Sequence, residues 1–151
     1  FEELNQSLRF RTVYDILFYY ITTKMEEYQL SDIAIQGEFC GAGIQKNRLK
    51  LVRPGWYVFT VIDLRTRRRY SLHQMQKLCE NLQLKMVPVE EKKEVFEYDS
   101  VDELLTRVKG KYASGTNKEG IVIRPVEPVY SKTIERPLSM KILNNDYLLK
   151  E

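Results

Sequence analysis

The sequence predicts an α+β fold, antiparallel sheets with flanking helices, on three observations. Stretches rich in β-formers do not alternate regularly with helical ones, which argues against a doubly wound parallel sheet. Two segments have the form of helix capping boxes, Ser71-Leu72-His73-Gln74 and Ser100-Val101-Asp102-Glu103. Finally, 151 residues with 43% apolar and 11% aromatic content are enough for one core, so a single domain spanning residues 1–151 is expected.

The elements follow in order. Val13, Ile16, Leu17, Tyr20, Ile21 and Met25 recur at the spacing of one helical face, which predicts a helix over residues 12–25 packed on a sheet. Ile33 to Phe39 reads as a short strand, followed by the flexible Gly41-Ala42-Gly43. Trp56 to Leu64 is dense in β-formers and reads as a buried strand, with Arg65 to Arg69 as the turn after it. After the first capping box, Leu72, Met75, Leu78, Cys79 and Leu82 fall at helical spacing. Lys85 to Val89 reads as a strand closed by Pro88. The second box opens a helix with Val101, Leu104, Leu105 and Val108 inward and Gly110 as its stop. Lys111 to Lys118 is a loop, Glu119 to Pro125 and Leu138 to Leu143 are strands, and Asn144-Asn145-Asp146 turns the chain.

Composition removes several classes of function. No run approaches the ~18 apolar residues of a membrane span, so no membrane partner is expected. Cys40 and Cys79 have no CxxC spacing and cannot make a disulfide framework. With His73 the sole histidine, and on a helix-like segment, an ordinary zinc site or a histidine-dependent hydrolase is disfavoured. A reduced, cytoplasmic protein is expected. The chain opens on Phe1-Glu2-Glu3-Leu4 without an initiator methionine or a basic flank, so it reads as a piece of something longer and without a signal peptide.

Charge is unevenly spread. From Gly41 to Tyr70, eight cations (Lys46, Arg48, Lys50, Arg53, Arg65, Arg67, Arg68 and Arg69) face a single acid, Asp63. They are interleaved with Trp56, Tyr57, Phe59 and Tyr70, the mixture a phosphate-backbone binder needs, although a solvated basic hairpin has the same composition. From Glu90 to Glu103 the sign reverses.

Three segments put one charged residue in or beside an apolar strand. They are Ile35-Gln36-Gly37-Glu38-Phe39-Cys40-Gly41, Lys118-Glu119-Gly120-Ile121-Val122-Ile123-Arg124-Pro125 and Ser139-Met140-Lys141-Ile142-Leu143. A carboxylate next to glycine can reach a metal or a ribose hydroxyl, because glycine lets a ligand approach the backbone. A lysine buried in the third segment needs an anionic partner, either a phosphate or Glu119 in a structural ion pair. Two carboxylates and a lysine meeting in one cleft could hold a metal-bound nucleotide phosphate.

These segments, in order, resemble the motifs of ATP-dependent RNA ligases of the bacterial and phage type. That family belongs to the covalent nucleotidyltransferase superfamily together with DNA ligases and mRNA capping enzymes. Gln36 to Asn47 is similar to motif III, Trp56-Tyr57-Val58-Phe59 with Val61-Ile62-Asp63 to motif IIIa, Glu119 to Pro125 to motif IV, and Ser139 to Asn145 to motif V. The resemblance implies a nucleotidyltransferase (adenylation) domain that uses ATP and magnesium or manganese to move AMP to an RNA 5′-phosphate, which a 3′-hydroxyl then displaces. By that similarity Glu38 contacts the ribose or helps place the metal, Phe59 stacks on adenine, Glu119 orients or binds the metal and Lys141 neutralises the α-phosphate. Glu38, Glu119 and Lys141 are the catalytic candidates; Lys46, Arg65, Arg67, Arg68 and Arg69 are candidates to hold RNA phosphates, on charge and not on the family pattern.

Motif I, Lys-x-Asp-Gly, whose lysine is adenylated, has no counterpart: no lysine here is followed by x-Asp-Gly. The domain is therefore expected to be N-terminally incomplete and inactive by itself. Motif V here has Leu143 where many ligases carry a second lysine. A non-catalytic RNA- or nucleotide-binding relative, a capping-type guanylyltransferase and a DNA ligase domain remain as alternatives.

Overall fold

The computed structural model describes residues 19, 21–27, 32–93 and 95–149. Residues 21–27 are helical, within and just past the expected first helix, whose Val13, Ile16, Leu17 and Tyr20 lie outside the described residues. The chain divides into two units, Phe1–Val87 and Pro88–Glu151.

Strand β2 (Gly55–Asp63) is the spine of the first unit. β1 (Ile33–Cys40) pairs antiparallel along one edge, from Ile33 opposite Asp63 to Cys40 opposite Gly55. The other edge is shared. β3 (Arg68–Arg69) pairs antiparallel with Ile62 and Asp63, whereas β4 (Lys85–Met86) pairs parallel with Tyr57 and Val58. Helix α1 (Leu72–Asn81) lies between β3 and β4 in the chain, the crossover that a parallel pair requires. Its Met75, Leu78 and Cys79, with Leu82, pack against Val58 and Val61 to make the core. Burial pushes the Cys79 thiol up to about 11, so it is an inert core group.

The first capping box forms in full: Ser71 Oγ accepts from Gln74 N–H at 3.2 Å, and Gln74 Oε1 accepts from Ser71 N–H at 2.9 Å. Ser71→Ala should cost about 1 kcal/mol, lowering the melting temperature by roughly 2–4 °C. An unchanged melting temperature would show that the cap contributes nothing.

Two expectations in this unit are corrected. The turn after β2 ends at Arg67, because Asp63 Oδ1 accepts from the N–H groups of Arg65 and Thr66 (2.8 and 3.0 Å) and Arg67 takes φ +57°. Arg68 and Arg69 then return as β3. The strand expected over Lys85 to Val89 is only Lys85–Met86, with one further bond from Val87 N–H to Val58 O at 3.0 Å. Pro88 has no N–H to continue the ladder.

In the second unit, β5 (Gly120–Ile123) and β8 (Met140–Leu143) pair antiparallel, with Gly120 opposite Leu143 and Ile123 opposite Met140. A small hairpin of β6 (Tyr130–Ser131) and β7 (Arg136–Pro137) is inserted between them. Helix α2 (Val101–Arg107) lies against β8 and buries Leu104, with Val108 at its C-terminal cap. Val101, expected inward, is 69% exposed: the apolar spacing is right, but in a helix this short full burial reaches Leu104 and Val108 and leaves Leu105 half-buried. The second box is half formed, since Ser100 Oγ accepts from Glu103 N–H while the Glu103 carboxylate turns to Asp99 N–H at 2.9 Å. Both strands are shorter than the apolar runs that predicted them, which extended to Pro125 and back to Leu138. Asn144 to Asp146 is more than a turn: Asn144 caps a short helix α3 (Asn145–Leu148), its Oδ1 accepting from Asp146 N–H at 3.1 Å. Among the described residues no helix is long and apolar enough to cross a membrane.

Candidate functional site

In the first unit, Glu38 sits exposed on β1 directly opposite Tyr57. The glycine before it is required. A Cβ on Gly37 would run into the Trp56 indole and stand 2.8 Å from the Tyr57 carbonyl oxygen. The register slips at the same place, from Gln36 opposite Thr60 to Gly37 opposite Val58. That slip leaves Phe59 as the extra residue of a bulge, a device that re-aims a side chain. Phe59 is half-buried, as a ring that packs and still offers a surface would be. Cys40, two residues on, has its thiol raised by burial and by the Glu38 carboxylate.

The basic candidates also lie in this unit. Lys46 is exposed on a loop that Asn47 ties down, its side-chain amide bonding both the N–H and the carbonyl of Leu51 at 3.0 Å. Arg65, Arg67 and Arg68 are exposed on the tight β2–β3 hairpin and Arg69 is half-buried. Arg65 stands 3.7 Å from Asp32. Asp63, within the segment similar to motif IIIa, builds the turn: the Thr66 N–H first, and Arg65 second, hold its carboxyl below the usual range.

In the second unit, Glu119 immediately precedes β5 and Lys141 lies on β8 opposite Val122. The two meet, Lys141 Nζ donating to Glu119 Oε1 at 2.5 Å. Strict alternation along an extended strand would put Glu119 and Val122 on opposite faces. Gly120, at φ +153°, is the break that lets the carboxylate come round to Lys141. Lys141 is not buried: its side chain is 56% exposed and that of Glu119 is 46% exposed. Asn144 fixes the geometry from behind. Fully buried, it donates from its backbone to Glu119 O at 2.9 Å and from Nδ2 to Lys118 O at 2.8 Å. Lys118 itself bridges to Glu90 at 3.2 Å, and Arg124 Nε donates to Ser139 Oγ at 3.2 Å.

Glu119 and Lys141 are thus brought together, and Glu38 and Phe59 share the strand pair β1–β2. Sequence reasoning missed Asn144 as the residue that joins the two segments of the second unit. It also missed Lys85, which lies in one row with Glu38 and Tyr57 across the sheet. The capping preference of asparagine was the available signal for Asn144; nothing in the sequence links Lys85 to Glu38.

The fold matches that of solved RNA ligases, a nucleotidyltransferase-type fold. Structures of Naegleria gruberi RNA ligase show the likeness: a mutant with AMP and Mn (TM-score 0.69, 23% identity, 86% of this chain and 37% of that one) and a mutant with ATP and Mn (0.70, 22%, 88% and 38%). The same enzyme with PPi gives 0.67 at 22% identity, over 89% of this chain and 40% of that one. The present chain therefore spans about two-fifths of the length of these structures. No curated protein matches by sequence. A family model described as RNA ligase matches residues 3–142, and the chain belongs to that family.

Proposed function

We propose that residues 1–151 are part of the adenylation domain of an ATP-dependent RNA ligase, which moves AMP from ATP to an RNA 5′-phosphate and seals the strand when a 3′-hydroxyl displaces it. The observation that carries this reading is the exposed Glu119–Lys141 pair, held on a strand pair whose sequence resembles motifs IV and V. In this reading Glu38 contacts the ribose or helps place the metal, Phe59 stacks on adenine, Glu119 serves the metal and Lys141 neutralises the α-phosphate. A magnesium ion is held by one or two carboxylates with phosphate oxygens and water completing its shell, and a half-exposed Glu119 suits that role. Among the described residues no three His, Cys, Asp or Glu side chains gather into a metal-ligand set. When bound, ATP would supply the adenylate and the metal the charge neutralisation that phosphoryl chemistry needs. This chain's own residues bind and orient: a ring for the base, a cation for the phosphate.

No lysine here is followed by x-Asp-Gly, so the covalent step needs a nucleophile from outside this sequence. Radiolabelled ATP with magnesium should leave this chain unlabelled on a denaturing gel, and a labelled band would refute that expectation. The source protein in full length should seal nicked RNA with ATP. Sealing of nicked DNA alone, or use of GTP alone, would assign it to the DNA ligase or capping branch. No nucleotidyl transfer at all would make it a binding relative.

The RNA phosphates are assigned to Lys46, Arg65, Arg67, Arg68 and Arg69. Neutralising the exposed Arg65, Arg67 and Arg68 should weaken RNA binding about tenfold or more and reduce the salt slope of log Kd by roughly 0.7 for each phosphate no longer neutralised. An affinity flat from low to moderate salt would remove the hairpin from the interface. Two free cysteines, Cys40 and Cys79, favour a reducing, cytoplasmic setting.

A further inference from the structure

The first unit's sheet buries one face under α1, where Ile33, Ile35, Val58 and Val61 pack. The other face carries a row that the roles above leave half used. Glu38 is the direct partner of Tyr57, and Tyr57 that of Lys85, across β1, β2 and β4. Residues directly opposite project on the same face. The Tyr57 ring leans back along its own strand over Gly55, where an added Cβ would stand 3.1 Å from Cε2 and 3.4 Å from the hydroxyl. Lys85 Nζ stands 5.7 Å from the ring centroid. Glu38 and Lys85 are two strand spacings apart, roughly 9.6 Å, so they flank the ring instead of pairing with each other.

A lysine in this position has an aliphatic stem steadied by the ring and an ammonium whose three N–H donors can still turn outward. The cation–π contact is weak at an exposed site, and it orders the ammonium without neutralising it. An anion arriving on this face would do so. The roles proposed above bring a nucleotide to Glu38, on this face, and an RNA strand to the β2–β3 hairpin of the same sheet, and both carry phosphate.

We propose that Lys85, steadied by Tyr57, is a phosphate-binding residue for the ligand held on this face. The inference rests on the adenylation-domain reading and adds to it a residue outside the motifs that resemble the family's. The phosphate comes either from the nucleotide or from the RNA strand, and the two sources give different results.

The test uses the full-length source protein with Lys85→Gln, Lys85→Met and Lys85→Arg. Lys85→Met keeps an apolar stem over Tyr57 and removes the charge with its N–H donors. Melting temperatures should stay within about 1 °C of wild type, since the side chain is exposed. If the phosphate is the nucleotide's, Lys85→Gln and Lys85→Met should weaken magnesium-ATP binding about tenfold while adenosine binding is unchanged. If it is the RNA's, ATP binding should be unchanged, 5′-phosphorylated RNA should bind about tenfold more weakly, and the salt slope should fall by roughly 0.7. Lys85→Arg should restore most of either loss. Wild-type affinity for both ligands in Lys85→Gln and Lys85→Met would overturn the proposal and leave the adenylation-domain reading intact. A wild-type protein that binds neither ATP nor RNA would defeat both.

Discussion

Gly120→Ala should destabilise the second unit by about 3 kcal/mol and separate Glu119 from Lys141. An added Cβ at this position would collide with the Ile142 carbonyl oxygen and stand 3.0 Å from both the Ile142 carbonyl carbon and the Leu143 Cα. These are backbone atoms in a paired strand, so no side-chain rotation relieves the overlap. Overpacking of this kind costs about 1–3 kcal/mol, and a positive φ on a residue with a Cβ adds about 1–2 kcal/mol. For a chain of this size the melting temperature of the variant should fall by roughly 6–12 °C. Gly115→Ala is the control, because Gly115 also has positive φ (+85°) but has nothing within 4 Å of an added Cβ. It should lose only the backbone share, about 1–2 kcal/mol. Equal losses at the two glycines would show that the close approach of β8 to Gly120 does not matter.

Lys141→Ala should produce the opposite pattern, a large functional loss with little change in stability. The Glu119–Lys141 pair is about half-exposed on both sides, and pairs of that kind contribute about 0–1 kcal/mol. A cation aimed at charge that develops on a phosphate is worth far more: removing one such group typically costs about 10²–10³ in rate. In the full-length source protein, adenylate transfer should fall by about that factor and the melting temperature by less than about 3 °C. Lys141→Arg keeps the charge, and its defect should be smaller. If stability collapses while ATP affinity in the folded fraction is unchanged, the pair is a structural ion pair, and the phosphate role assigned to Lys141 is lost.

The long string from Gln36 to Asn47, which carries much of the resemblance, is in good part concerned with shaping backbone. Gly37 makes room for Trp56, and Asn47 clamps the loop to Leu51. Gln36 and Glu38 are the residues of that string left exposed on the sheet, Glu38 beside Tyr57. The same holds in the second unit, where Gly120 and Asn144 form the frame and Glu119 and Lys141 the face that a ligand could reach. Motif reading recovers both kinds of residue together. Only contacts separate them.

The β-rich run of β2, the Ser71 cap and the apolar stripe of α1 were legible in the sequence, because each depends on neighbours within a turn or a few residues. The charged candidates were named by residue type and by their place beside apolar strands, and their roles are the proposals made above. Strand lengths, the parallel docking of β4, the bulge at Phe59 and the row from Glu38 to Lys85 were settled only in three dimensions. Those features depend on which backbone groups meet after long loops close, and a residue's neighbours along the chain carry no record of its partner across a sheet.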